Sequence, residues 1–413
     1  MAVLAACICL VAPFAARASA PSLDGQLRLA LATRTLVPGV SAGLVLDLSN
    51  GATLFARNAD VSLAPASNEK LCVAYAALAE LGPAYRFRTE MLGEGHRRGP
   101  VWYGNLVLKG FGDPSLSSHR VDLLAAELWG DGIRRVTGHV IGDDSWFDGR
   151  HGVAGWRRSF FGIESPPLSA LVVDRARRKG RLVANPALAA AAQLDRALWA
   201  LGIQARGAVA RQAHPHTVVL ATSYSRQLWR LLQVMDGDSD NFTAELVLKE
   251  IGAETLGSGT TAAGARVVAR DLAAAGVPLA GVRIVDGSGL SRDDRVTARE
   301  LASLLALMWK QPAMREIVWR SLARPGLDGT LRHRLLLPPA RKLVRGKTGT
   351  TDLASALSGF VGTRFAFVVL QNGDPVNLVA AHAAQDRFVR ALAARAEATS
   401  SSVGGDGLIA ARP

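Results

Sequence analysis

Three short polar clusters stand in order along the chain: Ser67-Asn68-Glu69-Lys70, Ser239-Asp240-Asn241 and Lys347-Thr348-Gly349. A serine followed three positions later by a lysine, at the first turn of a helix, puts a hydroxyl and an amine on one face. Once uncharged, that amine can take the hydroxyl proton and make the serine a nucleophile. A free lysine is protonated at neutral pH, with a pKa of about 10.4. Burial and a second nearby cation depress that value, and Lys347 is the candidate second cation. The unpaired N–H groups of a helix start beside Ser67 suit the oxyanion that develops during acyl transfer. Of seven lysines, only Lys70 has a serine three residues before it. Each cluster alone is weak: a lone S-x-x-K is usually a helix cap with a solvated lysine, and a lone K-T-G is usually a turn. Three in this order, each on a plausible element, are hard to assign to chance.

The elements that must position these groups follow from pattern. Residues 40–48 and 52–56 flank Ser49-Asn50-Gly51 and read as a β-hairpin, because Asn-Gly tolerates the positive φ of a tight turn. Leu71, Tyr75, Leu78 and Leu81 recur at helical spacing over 67–81, stopped by Gly82-Pro83. Short β-like runs with turn signals fill 86–170, with a helix near 120–130, and an Ala-rich helix spans 185–202. Helices are expected at 241–255, 260–276, 297–310 and 312–322, strands at 355–361 and 364–371, and a last helix at 377–397. The first two clusters are 172 residues apart, and the second and third 108. A compact helical unit needs no 172-residue spacer, so a β-rich stretch beginning near 86 reads as inserted after the nucleophile helix.

The chain has 413 residues, 49% hydrophobic and 20% charged, which excludes wholesale disorder and suggests two or three domains. Its net charge is +13, carried mostly by 41 arginines, spread out except for Arg175, Arg177, Arg178, Lys179 and Arg181. No zinc-finger spacing, RNP pattern or basic zipper accompanies them, so nucleic acid is not expected as a partner. The basic balance fits compositional bias or peripheral association with cell wall or an anionic membrane. With cysteines only at 7, 9 and 72, and no His-Glu-x-x-His, neither a disulfide framework nor a zinc site is expected. Residues 2–16 are nearly all apolar and precede Ala16-Arg17-Ala18 and Ala18-Ser19-Ala20. This reads as a signal peptide over 1–20 without the usual positive start, and hence as export.

The clusters and their surroundings resemble the D-alanyl-D-alanine carboxypeptidase/endopeptidase family of class C low-molecular-mass penicillin-binding proteins, peptidase family S13. The resemblance rests on Ala66-Ser67-Asn68-Glu69-Lys70-Leu71, Ser239-Asp240-Asn241-Phe242-Thr243-Ala244-Glu245, Asp286-Gly287-Ser288-Gly289-Leu290-Ser291-Arg292, Asp328-Gly329-Thr330-Leu331 and Gly346-Lys347-Thr348-Gly349-Thr350. Leu108-Lys109-Gly110 with Gly112-Asp113-Pro114 is similar to the start of that family's inserted domain. The resemblance spans most of 35–395. It implies an α+β fold, a serine β-lactamase/penicillin-binding-protein-like domain with an antiparallel sheet and helices, carrying a β-rich insertion. The expected layout is peptidase segments at 21–85 and 222–397, an insertion at 86–221 and a disordered tail at 398–413.

The resemblance also implies roles. Ser67 is the acylated nucleophile and Lys70 its base. Ser239 and Lys347 relay a proton to the leaving D-alanine amine, and Asn241 bonds the substrate peptide. Lys347 and Thr348 hold the terminal carboxylate, with Gly349 beside them. Ser67 and Thr350 offer their N–H groups to the oxyanion. No metal or cofactor is implied; peptidoglycan stem peptides are the substrates, and β-lactams are covalent inhibitors. A serine β-lactamase and a catalytically idle β-lactam-sensing or wall-binding protein are the alternatives. Two departures stand out: Leu168–Asp174 runs almost directly into Asn185-Pro186-Ala187, as if a small β subdomain were deleted, and Thr351 replaces a commonly apolar residue. Outside the clusters, Asp286–Gly289 reads as a structural turn, Glu69 as a solvated helical residue, Cys72 as a small buried hydrophobe, and His214-Pro215-His216 as a surface loop.

Overall fold

A computed structural model describes residues 21–32 and 40–403. The proposed signal peptide lies outside them. Among the described residues no helix is long and apolar enough to cross a membrane.

The part expected to hold the three clusters is built on a five-stranded antiparallel sheet. Its order is Val344–Thr350, Ala354–Val361, Phe365–Asn372, Ser41–Asp47, Thr53–Arg57. The last two strands form the hairpin expected around Asn50-Gly51, with Gly51 at φ 77°. Phe365-Ala366-Phe367-Val368-Val369-Leu370 is apolar at every position because the sheet is covered on both faces. Ala366, Val368 and Leu370 point into a core with helices Lys70–Glu80, Asn241–Leu256 and Ala298–Lys310. Phe365, Phe367 and Val369 point the other way, against helices Leu23–Leu31 and Leu378–Val403. The alternation of a strand thus divides one apolar run between two cores.

The inserted part has its own six-stranded mixed sheet. Arg88–Arg98 and Val101–Gly110 pair antiparallel, Val218–Tyr224 adds to the first, and Val140–Asp143 and Ala208–Ala210 continue in parallel beyond the second. Helices Ser118–Gly130 and Pro186–Ala200 cover one face and share its core. Because Val218–Tyr224 is zipped to Arg88–Arg98, the insertion continues past residue 221 to about the start of helix Leu228–Gly237.

The first residues of the tail expected from 398 are helical. The final helix runs on to Val403, with Thr399 Oγ1 donating to the Arg395 carbonyl at 2.9 Å, and residues 404–413 lie outside the described part. Serine and threonine are mediocre helix formers, but extending an existing helix avoids the cost of nucleation.

Candidate active site

The turn that carries Ser67 sits where the chain enters the helix of Lys70. Residues Ala66–Glu69 form a 3₁₀ turn and Lys70 begins the α-helix, so Ser67 lies one turn ahead of the helix it was expected to start. Ala66 adopts φ 46°, a conformation unfavourable for an L side chain. Neighbouring backbones press against this turn from two sides. A Cβ on Gly289, itself at φ 77°, would lie 1.9 Å from the Ala66 carbonyl oxygen. A Cβ on Gly349 would lie 2.9 Å from both the Pro65 carbonyl and Asn68 Nδ2. Both approaches therefore require glycine. Asn68 Nδ2 also donates to the Lys347 carbonyl at 3.4 Å, tying the turn to the edge strand Val344–Thr350.

Helix Asn241–Leu256 brings in the second cluster. Its N-cap is Asp240, whose carboxylate accepts the Thr243 N–H at 2.7 Å, and it closes on Gly257 in the left-handed conformation. Ser239 sits just outside at φ 60°.

Lys70 Nζ lies 3.0 Å from Ser67 Oγ, 2.8 Å from Asn241 Oδ1 and 2.7 Å from the Ser288 carbonyl oxygen. Two of those partners can only accept, since Asn241 turns its Nδ2 to the Glu164 carbonyl at 3.0 Å. A neutral amine has two N–H donors and one lone pair. With both donors given to Asn241 and Ser288, the lone pair is left for the Ser67 hydroxyl. Lys70 is fully buried; burial brings its amine down to about 8, although Asp286, Glu245 and Asp240 pull it upward. Lys347 is equally buried, and burial followed by the charge of Lys70 pushes its amine well below the ordinary lysine range. Lys347 Nζ donates to Ser239 Oγ at 2.8 Å and to the Thr348 carbonyl at 2.8 Å. Thr348 Oγ1 is 2.7 Å from Thr330 Oγ1.

These groups open into a cleft of about 290 Å³ lined by Ser67, Ser239, Asn241, Thr348 and Thr350, together with Glu164, Leu290, Thr330, Arg334 and His382. A larger depression of about 590 Å³ near Trp319 and Arg364 includes none of the three clusters, so size does not locate them. Every residue singled out from the three clusters is brought to the cleft or its wall. Gly349 contributes backbone only. Among the described residues no group of His, Cys, Asp or Glu is arranged to hold a metal ion.

Several participants lay in recognisable motifs, but their contacts to the site were not read from them. Asp286–Gly289 is more than a turn, because its Ser288 carbonyl is a Lys70 partner. Glu245 Oε1 holds that loop by accepting the N–H groups of Gly287 and Ser288 at 3.0 and 2.8 Å. Asp286 accepts from Gly289 N at 2.6 Å, Ser291 N at 2.7 Å and the Trp156 indole of the insertion at 2.8 Å. The Glu245 position, four residues after Asn241 on the same helical face, was the available clue. Glu69 is not solvated: it is fully buried, and both its carboxylate oxygens lack a hydrogen-bond partner. Burial, then the charges of Glu300 and Asp286, raise its pKa well above the usual range. Cys72 is buried as expected and donates to Glu300 Oε1 at 3.4 Å. His214 and His216 are exposed as expected.

Comparison with known proteins gives a consistent picture. The family model described as "D-Ala-D-Ala carboxypeptidase 3 (S13) family" matches residues 23–181 and 174–395. A D-alanyl-D-alanine carboxypeptidase of Actinomadura sp. is 31% identical over an alignment covering 81% of this chain and 78% of that protein. Carboxypeptidase DacB of Mycolicibacterium smegmatis is 30% identical, covering 86% and 80%. Penicillin binding protein 4 of Haemophilus influenzae shares the fold, with a TM-score of 0.79 at 24% identity over 90% of this chain and 99% of that one. The same protein has been crystallised complexed with a β-lactam.

Proposed function

This chain belongs to the D-Ala-D-Ala carboxypeptidase 3 (S13) family and is a serine-type D-Ala-D-Ala carboxypeptidase, and we propose that it cleaves peptidoglycan stem peptides through an acyl-enzyme on Ser67. Neutral Lys70 takes the Ser67 proton as Oγ attacks the penultimate D-alanine carbonyl. The Ser67 and Thr350 N–H groups receive the developing oxyanion. Ser239, bonded to Lys347, passes a proton to the departing amine, and Thr348 and Lys347 hold the terminal carboxylate. Asn241 bonds the substrate's peptide side. The proton that Lys70 took from Ser67 leaves with the amine by way of Ser239, so Lys70 is neutral again; water then attacks the ester and gives its proton to Lys70, which passes it to Ser67 Oγ as the acyl bond breaks.

The observation that carries this reading is the bonding of Lys70: two acceptor-only partners consume its N–H donors and leave its lone pair for Ser67. The same route acting on a larger leaving amine gives endopeptidase cleavage of cross-linked stems. β-Lactams enter as substrate mimics that acylate Ser67 and leave slowly. Such substrates place the protein outside the cytoplasmic membrane, in the periplasm or against the wall, which agrees with the apolar segment 2–16; the basic surface suits peripheral contact with wall or anionic membrane. Incubation with a stem pentapeptide ending in D-Ala-D-Ala tests the reading: free D-alanine and the tetrapeptide are expected. An intact, folded protein that releases no D-alanine contradicts it.

A further inference from the structure

The densest basic run of the chain behaves in two ways. Arg177, Arg178, Lys179 and Arg181 are exposed. Arg175 turns towards the catalytic body, where its guanidinium lies 2.6 Å from Asp240 Oδ2 and its Cζ 4.9 Å from the centre of the Phe242 ring. The backbone that delivers it is unusual: Asp174, Arg175 and Ala176 adopt φ 48°, 55° and 53°, three consecutive left-handed residues without a glycine. Such a run persists only where its surroundings over-determine it. Here the Asp174 N–H is held by the Leu116 carbonyl at 3.0 Å, the Asp174 carboxylate accepts the Ser118 N–H at 3.0 Å, and the Ala176 carbonyl accepts the Val183 N–H at 2.9 Å.

Asp240 is the residue between the two side chains of the second cluster. One carboxylate oxygen caps its own helix through Thr243, and the other takes Arg175. On one side Ser239, at φ 60°, meets Lys347; on the other Asn241 meets Lys70. Burial opposes ionisation of Asp240, but Arg175 and then Thr243 outweigh it and hold the carboxyl below its usual range. We propose that Arg175, supplied by the inserted domain, is a positioning residue for the acylation step: by fixing Asp240 it sets the direction of Ser239 and Asn241 towards the two buried lysines. The insertion then contributes catalytic geometry as well as a cleft wall. Because the helix cap survives without Arg175, its loss frees the cluster without unwinding the helix.

This inference rests on the Ser67 acyl-enzyme reading, and the test separates the two. Single-turnover acylation by benzylpenicillin is measured to give the encounter constant and the acylation rate constant separately. Arg175→Ala is expected to lower the rate constant by about 10- to 100-fold, the scale of a small misplacement of reacting groups, with the encounter constant changed less than about threefold. Arg175→Lys should recover part of the loss, since it keeps the charge but loses the planar fork. Asp240→Asn should give a similar loss, and the double variant Arg175→Ala/Asp240→Asn no more than the larger single loss. Arg178→Ala, an exposed neighbour in the same run, should leave the rate unchanged. Wild-type acylation by Arg175→Ala, losses that add in the double variant, or a loss that tracks a fall in melting temperature across the set overturns the proposal. If Arg175→Ala fails to fold, the Arg175→Lys and Asp240→Asn rates decide by the same criteria. Failure of the wild-type protein to be labelled at all overturns the parent reading instead.

Discussion

The catalytic body and the inserted domain differ in which charges they bury. In the body, Lys70, Lys347, Glu69, Glu245 and Glu300 are wholly buried, around a strand, Ala354–Val361, that has no exposed residue. In the insertion, the run from Arg177 to Arg181 is exposed, and the strand Val218–Tyr224 leaves Val218, Val219 and Tyr224 half open to solvent at 51%, 60% and 52%. Buried ionisable groups oppose stability unless they are neutral or paired. The body tolerates them because its two-faced core supplies ample apolar burial, and in the proposed mechanism the lowered amine of Lys70 is what the chemistry uses. The insertion buries Asp113, Asp143 and Glu94, the last two beside Lys109 and Arg211, but none of these lines the cleft; the groups it sends to the site are positioned donors and acceptors: Trp156 on Asp286, the Glu164 carbonyl on Asn241, Arg175 on Asp240.

The contrast is most sharply broken or upheld at the buried lysine. Lys70→Ala should lower the rate of penicillin acylation by about 10³- to 10⁴-fold or more, the scale of losing the base of an activated serine, while the variant stays folded. A loss of less than tenfold would mean another group takes the proton. The next largest effect is pH dependence. The amine acts as a base only when neutral, so wild-type acylation should rise with pH, about tenfold per unit below the midpoint, and level off near 8. A flat profile between 5 and 9 would contradict a titrating Lys70.

Stability separates the two regions next. Phe367→Ala, in the two-faced sheet, should cost about 3–5 kcal/mol in denaturant unfolding, whereas Val219→Ala on the open strand should stay within about 0.5 kcal/mol. Equal costs would erase the distinction. The smallest effect concerns Glu300, whose pKa burial raises from 4.5 to about 8. A folded-state acid held protonated stabilises below its unfolded pKa, and that contribution is lost as pH rises from about 4.5 towards 8. Glu300→Gln should therefore change stability little at pH 5 and raise it relative to wild type at pH 8, seen as a melting temperature that falls less steeply between them. Parallel wild-type and variant curves would show that Glu300 ionises freely.

The parts of the site written locally were legible. Ser67 with Lys70, Ser239 with Asn241, and Lys347 with Thr348 each lie within a turn or a strand, so residue type and spacing identify them before any fold is known. Most element boundaries were likewise marked by local chemistry: Asn50-Gly51 at the hairpin, Gly257 after its helix, Gly82-Pro83 after the nucleophile helix. What stayed hidden depends on distant chain segments. The Asp286–Arg292 motif was visible, but a backbone carbonyl does not announce its partner, and Lys70 finds that of Ser288 218 residues away. Arg175 looked like any other member of a solvated basic run until its left-handed backbone and Asp240, 65 residues on, were placed together. Glu69 was misread because its polarity outweighed its location between helices that leave it no solvent. Helix Leu23–Leu31 went unrecognised because it is short and its reason to exist is the outer face of a sheet that no local pattern reveals.

The central claim is that the Ser67 hydroxyl is the group acylated. Its most direct test is peptide mapping by mass spectrometry after brief incubation with benzylpenicillin, on wild type and on Ser67→Ala. One penicilloyl adduct on the wild-type peptide that contains Ser67, with none on the variant, is the predicted result. An adduct on another residue, an equally labelled Ser67→Ala protein, or a folded wild type left unmodified would contradict it.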